Sequence, residues 1–161
     1  MKRREISFFL RNIPGEFGKI ADLLKDRNIN IESISIQDAS AYVQTLFNAR
    51  GKSLKRIASN GSYVSMQKDS YEFALVRLLV DKTDAAIDVM KECNYIFEIT
   101  PVVAMYLPNK PGILADLTSE LGRNSININY IYGSTSDKGK NCLFVISPED
   151  IELAEAIFGN S

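Results

Sequence analysis

The sequence contains two copies of one pattern, 97 residues apart, and this internal repeat limits the folds that the chain can adopt. Aligned with itself at that offset, the chain places Asn12-Ile13-Pro14-Gly15 over Asn109-Lys110-Pro111-Gly112 without a gap. Further along, Ile29-Asn30-Ile31 lies over Ile126-Asn127-Ile128. Such a repeat indicates two structural units of one fold rather than a single larger domain.

The later part of each copy aligns at a shorter offset of 66 residues, which places Leu78-Leu79-Val80 over Phe144-Val145-Ile146. The two offsets differ by 31 residues, so the first copy is predicted to carry an insertion at about residues 40–70. We predict a first domain over residues 1–99 and a second over 100–161, which lacks a last strand. Within the insertion, apolar spacing from Tyr42 to Ala58 predicts a helix, and residues 62–66 predict a short strand.

Each copy shows the pattern β-α-β-β-α, which predicts an α+β fold with antiparallel sheets and the helices on one face. In the first copy, residues 6–10 are predicted as a strand and 16–27 as a helix with apolar residues at helical spacing. The alternation of the next strand slips between Ile31 and Ile34, which predicts a β-bulge. Thr83 is the expected N-cap of the second helix, and residues 95–99 form an expected fourth strand.

Composition removes several classes of function. The chain has no histidine, so the commonest general base and metal ligand are absent. Its two cysteines, Cys93 and Cys142, lie far apart beside apolar residues and are expected to be buried. The net charge of −1 and the scattered charges favour neither nucleic acid nor a membrane as partner. We expect a cytoplasmic protein without a cofactor.

The Asn-x-Pro-Gly turn between a strand and a helix, followed by an Ile-Asn-Ile strand start, resembles the ACT domain family. Both copies show the pattern, so the resemblance covers most of the chain outside the insertion. It implies two ferredoxin-like βαββαβ units in tandem. It also implies that an amino acid is bound between paired domains and that the protein regulates an enzyme of amino-acid metabolism.

The resemblance assigns a ligand role to the turn of each copy and to the asparagine that begins the second strand. In the first copy these residues are Asn12, Ile13, Pro14, Gly15, Glu16, Phe17 and Asn30. In the second copy they are Asn109, Lys110, Pro111, Gly112, Ile113, Leu114 and Asn127. Leu10 and Leu107 stand where some family members have a polar ligand contact, which is a departure from the family pattern.

The chemistry of these residue types suits a free amino acid. The first turn of a helix offers unpaired N–H groups and a partial positive charge to a carboxylate. Asparagine carries both donors and an acceptor, so it can meet either charged end of the ligand. We expect the second loop to be the stronger anion site, because Lys110 adds positive charge there while Glu16 adds negative charge to the first. The alternative is that these residues only form a turn and a strand start.

Three classes of function remain open on the sequence alone. The first is a regulatory protein that binds an amino acid and then acts on a partner enzyme or transporter, and we expect the chain to form a homodimer. The second is a ligand-independent regulatory subunit of a biosynthetic enzyme. The third is a small enzyme, which we do not expect, because no catalytic constellation can be placed at one site.

Overall fold

The computed structural model describes residues 1–39, 73–134 and 140–159. Six strands and four helices follow one another in the order β-α-β-β-α-β-α-β-β-α within these residues. The strands are β1 (Lys2–Arg11), β2 (Ile31–Asp38), β3 (Phe73–Val80), β4 (Phe97–Pro108), β5 (Ile128–Ser134) and β6 (Asn141–Pro148). The helices are α1 (Glu16–Asp26), α2 (Thr83–Glu92), α3 (Ile113–Arg123) and α4 (Ile151–Phe158).

All six strands form one antiparallel sheet in the order β2-β3-β1-β4-β6-β5. The predicted fold class is therefore confirmed, with the β-α-β-β-α order present twice. The two copies meet at the centre, where residues 2–8 of β1 pair with residues 97–103 of β4.

The longest strand, β4, belongs to both copies. Sequence patterning predicted two strands here, over residues 95–99 and 102–107, but the structure has one strand of 12 residues. Its first half pairs with β1, and its second half, from Val103 to Pro108, pairs with β6. The predicted boundary at residues 99 and 100 lies inside this strand, and the division into two domains stays a prediction.

One face of the sheet carries the helices. In the first copy, alternate residues of β1 and β3 pack against buried residues of α1 and α2, among them Ile20 and Leu24. In the second copy, Val103 and Ile146 pack against Leu117 and Leu121 of α3. Amphipathic helices with one apolar face explain this layer.

The other face of the sheet is concave and has a core of its own. Leu79, Val102, Leu143 and Val145 are nearly inaccessible to solvent there, and Tyr132 packs against them. Three strand spacings separate β5 from β1 in the order of the sheet. In a flat sheet these two strands would lie about 14 Å apart, since neighbouring strands are about 4.8 Å apart. The sheet instead curls strongly, and its two edge strands, β2 and β5, approach each other.

Local details of the sequence predictions had mixed outcomes. The β-bulge in β2 is confirmed, since the register shifts between Ile31 and Ser33. The N-cap prediction was wrong: Thr83 is the first residue of α2, and Lys82 occupies the cap position. Cys142 is buried as predicted, whereas Cys93 follows the end of α2 and is exposed. The helix and strand predicted within the insertion lie outside the described residues.

Candidate ligand-binding site

The two Asn-x-Pro-Gly loops have the same backbone geometry. Gly15 and Gly112 each precede the first residue of a helix, with φ angles of 88° and 92°. This left-handed region is costly for residues with a Cβ, so the conformation accounts for glycine at both positions. Neither helix start is capped by a side chain, and the first N–H group of each helix donates to a carbonyl of its own loop, from Glu16 to Ile13 at 3.3 Å and from Ile113 to Lys110 at 3.4 Å.

The side chains around the two loops differ. Phe17 of the first copy packs against the core between α1 and the sheet, so it is a core residue as well as a loop neighbour. At the equivalent position of the second copy, Leu114 is 42% exposed. Glu16 forms an ion pair with Lys19, one turn further along α1. Lys110 is exposed, and its backbone N–H donates to the carbonyl of Pro108 at 2.9 Å.

The structure does not bring the two predicted asparagines of one copy together. Asn12 follows β1, whose last residue Arg11 is level with Phe73 at the start of β3. Asn30 precedes β2, whose first residue is level with Val80 at the far end of β3. The same relation holds in the second copy, where Asn109 follows β4 and Asn127 precedes β5 at the opposite end of β6.

Both strand-start asparagines bind an acidic partner. The backbone N–H of Asn30 donates to Asp81 Oδ1 at 2.8 Å, and its carbonyl accepts from the N–H of Asp81. The side chain of Asn127 donates from Nδ2 to Glu149 Oε2 at 3.0 Å. These contacts lie at the starts of β2 and β5: those of Asn30 come from its backbone, and that of Asn127 joins two side chains.

A buried charged cluster, which was not predicted from the sequence, lies on the concave face. Glu5 of β1 is inaccessible to solvent, and its two carboxylate oxygens accept hydrogen bonds of 2.6 Å from the hydroxyls of Tyr130 and Tyr132. Arg77 Nε lies 3.9 Å from Glu5 Oε1. The Arg77 guanidinium also lies 4.1 Å from the centre of the Tyr130 ring. The cluster joins β1 and β3 of the first copy to β5 of the second.

Burial changes the acidity of these groups. It raises the pKa of the Glu5 carboxyl above its usual range, although the tyrosine hydroxyls and Arg77 act in the opposite direction. Burial and the hydrogen bond to Glu5 raise the pKa of Tyr130 to about 12. The same causes raise the pKa of Tyr132. Both phenols therefore stay protonated and can donate throughout the physiological range.

A signal for this cluster was present in the sequence. Tyr130 and Tyr132 alternate along β5, which places both rings on one face of the strand. Ile6 packs in the core beneath the helices. Because successive side chains of a strand point to opposite faces, its neighbour Glu5 lies on the face opposite the helices. What the sequence could not show is the curl of the sheet, which brings strands together that are not neighbours.

Within residues 1–39, 73–134 and 140–159, no group of acidic and cysteine side chains is arranged to hold a metal ion. In the same ranges, no helix is both long enough and apolar enough to cross a membrane.

Comparisons with known proteins identify the fold. Residues 102–157 match the sequence model of the ACT domain. Among curated proteins, none is similar enough in sequence to count as a relative. Several solved structures are similar in three dimensions.

A protein from Bacteroides thetaiotaomicron is 22% identical, with a TM-score of 0.71 over 99% of this chain and 88% of that one. The ligand-free regulatory subunit of aspartate kinase from Thermus thermophilus is 14% identical, with a TM-score of 0.56 over 99% of this chain and 91% of that chain. At these identities the likeness concerns the fold. The match to the ACT domain thus covers residues 102–157, and these lie within an α+β fold in which the order of elements is repeated.

Proposed function

We propose that the protein is a regulatory protein of amino-acid metabolism, which binds a free amino acid and thereby changes its contact with a partner enzyme. The observation that carries the proposal is the duplicated loop, in which a left-handed glycine opens an uncapped helix in both copies. The ACT match in the second copy supports it. So does the fold, which resembles the regulatory subunit of aspartate kinase.

The second loop is the stronger candidate for the ligand carboxylate. The exposed Lys110 adds a positive charge beside the start of α3, where the helix dipole already favours an anion. In the first loop, Glu16 places a carboxylate at the same point, although Lys19 partly neutralises it. The proposed ligand contacts are therefore Asn109, Lys110, Gly112 and the N–H group of Leu114, because the N–H of Ile113 already donates to the carbonyl of Lys110 at 3.4 Å.

We also propose a homodimer. In each copy the loop and the strand-start asparagine lie at opposite ends of the sheet, so one ligand cannot contact both within a copy. A second chain could supply the asparagine from a facing unit. The edge strand β2 has apolar surface for such a contact, because Ile34 and Ile36 are 40% and 50% exposed.

A thermal-shift panel of the free amino acids tests the proposal. A ligand that binds only the folded state stabilises it by about 2.7 kcal/mol at a hundredfold excess over Kd. We expect at least one amino acid to raise the melting temperature of the wild type. Lys110→Glu should reduce that shift, and Lys91→Glu, which reverses an exposed charge on α2, should not.

Size-exclusion chromatography with light scattering tests the homodimer, with and without an amino acid that raises the melting temperature.

In the thermal-shift panel, no shift with any amino acid would contradict the proposed sensor and favour the ligand-independent subunit. An unchanged shift in Lys110→Glu would contradict the placement at the second loop.

A further inference from the structure

The concave face of the sheet contains a cavity of about 730 Å³ that none of the predicted loop residues lines. It is bounded by β1, β3 and β4 of the sheet centre, by β2 on one side, and by β5 and β6 on the other. Its size falls within the range of small-molecule sites, about 300–1,000 Å³. The cavity is separate from the loop site of the proposed function.

Three polar residues form a row across the floor of this cavity. Ser7 of β1 is paired with Arg77 of β3 on one side and with Glu98 of β4 on the other. The cationic Arg77 and the anionic Glu98 therefore lie on either side of the small Ser7. Their backbones are about 10 Å apart, which is twice the spacing between neighbouring strands. The small side chain of Ser7 leaves room between them.

Both charged ends of the row have capacity for a ligand. Arg77 uses one N–H group to donate to Gln37 Oε1 at 3.0 Å, and a guanidinium carries five such donors. Its charge is held in place by Glu5 and by the Tyr130 ring. Among the residues that the structure describes, the Glu98 carboxylate has no hydrogen-bond or ion-pair partner.

Apolar side chains lie beside this row. Phe9 and Leu75 are paired across β1 and β3, one step along the same face of the sheet, and both line the cavity. Ile96 lines it as well. Phe9 is 45% exposed and Ile96 is 92% exposed. Exposed apolar surface therefore lies next to the row of Arg77, Ser7 and Glu98.

We propose that this cavity is a second ligand site, which binds an α-amino acid with a large apolar side chain. The ligand carboxylate accepts from Arg77, and its ammonium group donates to Glu98. Its side chain covers Phe9, Leu75 and Ile96. A zwitterion matches the row because it presents opposite charges a few ångströms apart, and the apolar part removes exposed hydrophobic surface from water.

Isothermal titration of the full chain with L-leucine and L-phenylalanine tests the site. L-leucinamide lacks the carboxylate and N-acetyl-L-leucine lacks the ammonium group, so each should bind about tenfold or more weakly than leucine. Glu98→Gln should weaken leucine by a similar factor. Ser7→Leu fills the space between Arg77 and Glu98 and should abolish binding.

Two control variants separate this site from the loops. Glu152→Gln removes an exposed carboxylate on α4, and its affinity for leucine should match the wild type. Lys110→Glu removes the positive charge of the second loop, so leucine binding that is lost in this variant belongs to the loop site and not to the cavity. Circular dichroism of every variant checks that it folds.

The outcomes distinguish the two proposals. If leucine and phenylalanine bind equally well to wild type, Glu98→Gln and Ser7→Leu, the cavity site is wrong. If Lys110→Glu alone weakens binding, the cavity site is wrong and the loop site stands. If neither apolar amino acid binds the wild type, the cavity site is also wrong, while a shift with a polar amino acid would still support the proposed function.

Discussion

Tyr132 donates a 2.6 Å hydrogen bond to Glu5 across 127 residues of sequence, and this contact links the last third of the chain to its first strand. Tyr132→Phe keeps the ring but leaves Glu5 Oε2 without this donor. We expect the free energy of unfolding to fall by about 1–3 kcal/mol, the usual cost of an unsatisfied buried polar group.

Urea denaturation of Tyr132→Phe and of Tyr106→Phe measures this effect. The Tyr106 side chain is 58% exposed, so its variant should lie within about 0.5 kcal/mol of the wild type. Equal stabilities of the two variants would show that the Glu5 cluster does not stabilise the fold.

Glu5 should make stability depend on pH in a direction opposite to that of a salt-bridged carboxylate. Its pKa is raised above the ordinary value of 4.5 in the folded protein. The folded state therefore binds more protons, so the contribution of Glu5 is fully present below the unfolded pKa and is lost as the pH rises through the folded pKa.

Glu5→Gln does not titrate, so it isolates this effect. The free energy of unfolding of the wild type minus that of the variant should decrease as the pH rises from about 4 through the folded pKa. Chemical denaturation at several pH values measures the difference. A difference that is constant with pH, or that increases, would contradict the raised pKa.

Gly15 and Gly18 form a natural pair for testing the loop backbone. A Cβ at either position would meet nothing within 4 Å, so space does not distinguish them. Gly15 has a φ of 88°, and Gly15→Ala should cost about 1–2 kcal/mol. Gly18 lies inside α1, and Gly18→Ala should stabilise by about 0.5–1 kcal/mol. Effects of the same sign in thermal unfolding would contradict this interpretation.

The concave face has a core of its own, so we expect that shortening a buried side chain there lowers the free energy of unfolding as much as shortening one beneath the helices. Leu79 is inaccessible to solvent, and Leu79→Ala should cost about 2–5 kcal/mol. Leu153 on α4 is 41% exposed, so Leu153→Ala should change stability by no more than about 0.5 kcal/mol. Calorimetry of both variants checks the difference, and a small effect of Leu79→Ala would mean that this face is not a tight core.

The sequence predicted those features that depend on local spacing. The turn at Gly15 and Gly112, the helix after each turn and the bulge near Ile31 all follow from residues close together in the chain. The loop residues themselves could be located, but their role as ligand contacts stays a prediction. The first strand was predicted over residues 6–10, whereas it begins at Lys2 and includes Glu5.

Features that depend on contacts between distant strands could not be predicted. The two tyrosines that donate to Glu5 lie on β5, which is not the neighbour of β1 in the sheet. The merging of two predicted strands into β4 likewise depends on β1 and β6, which pair with its two halves. Alternation within a strand predicts on which face of the sheet a side chain lies. The order of the strands and the curl of the sheet determine which other side chains it contacts there.

The shared strand β4 has a consequence for how the protein unfolds. Its 12 residues complete the sheet of the first copy with one half and begin that of the second with the other. Neither half can lose its structure without removing a hydrogen-bonded partner strand from the other. We therefore expect the two halves to behave as one cooperative unit and to melt in a single transition rather than in two.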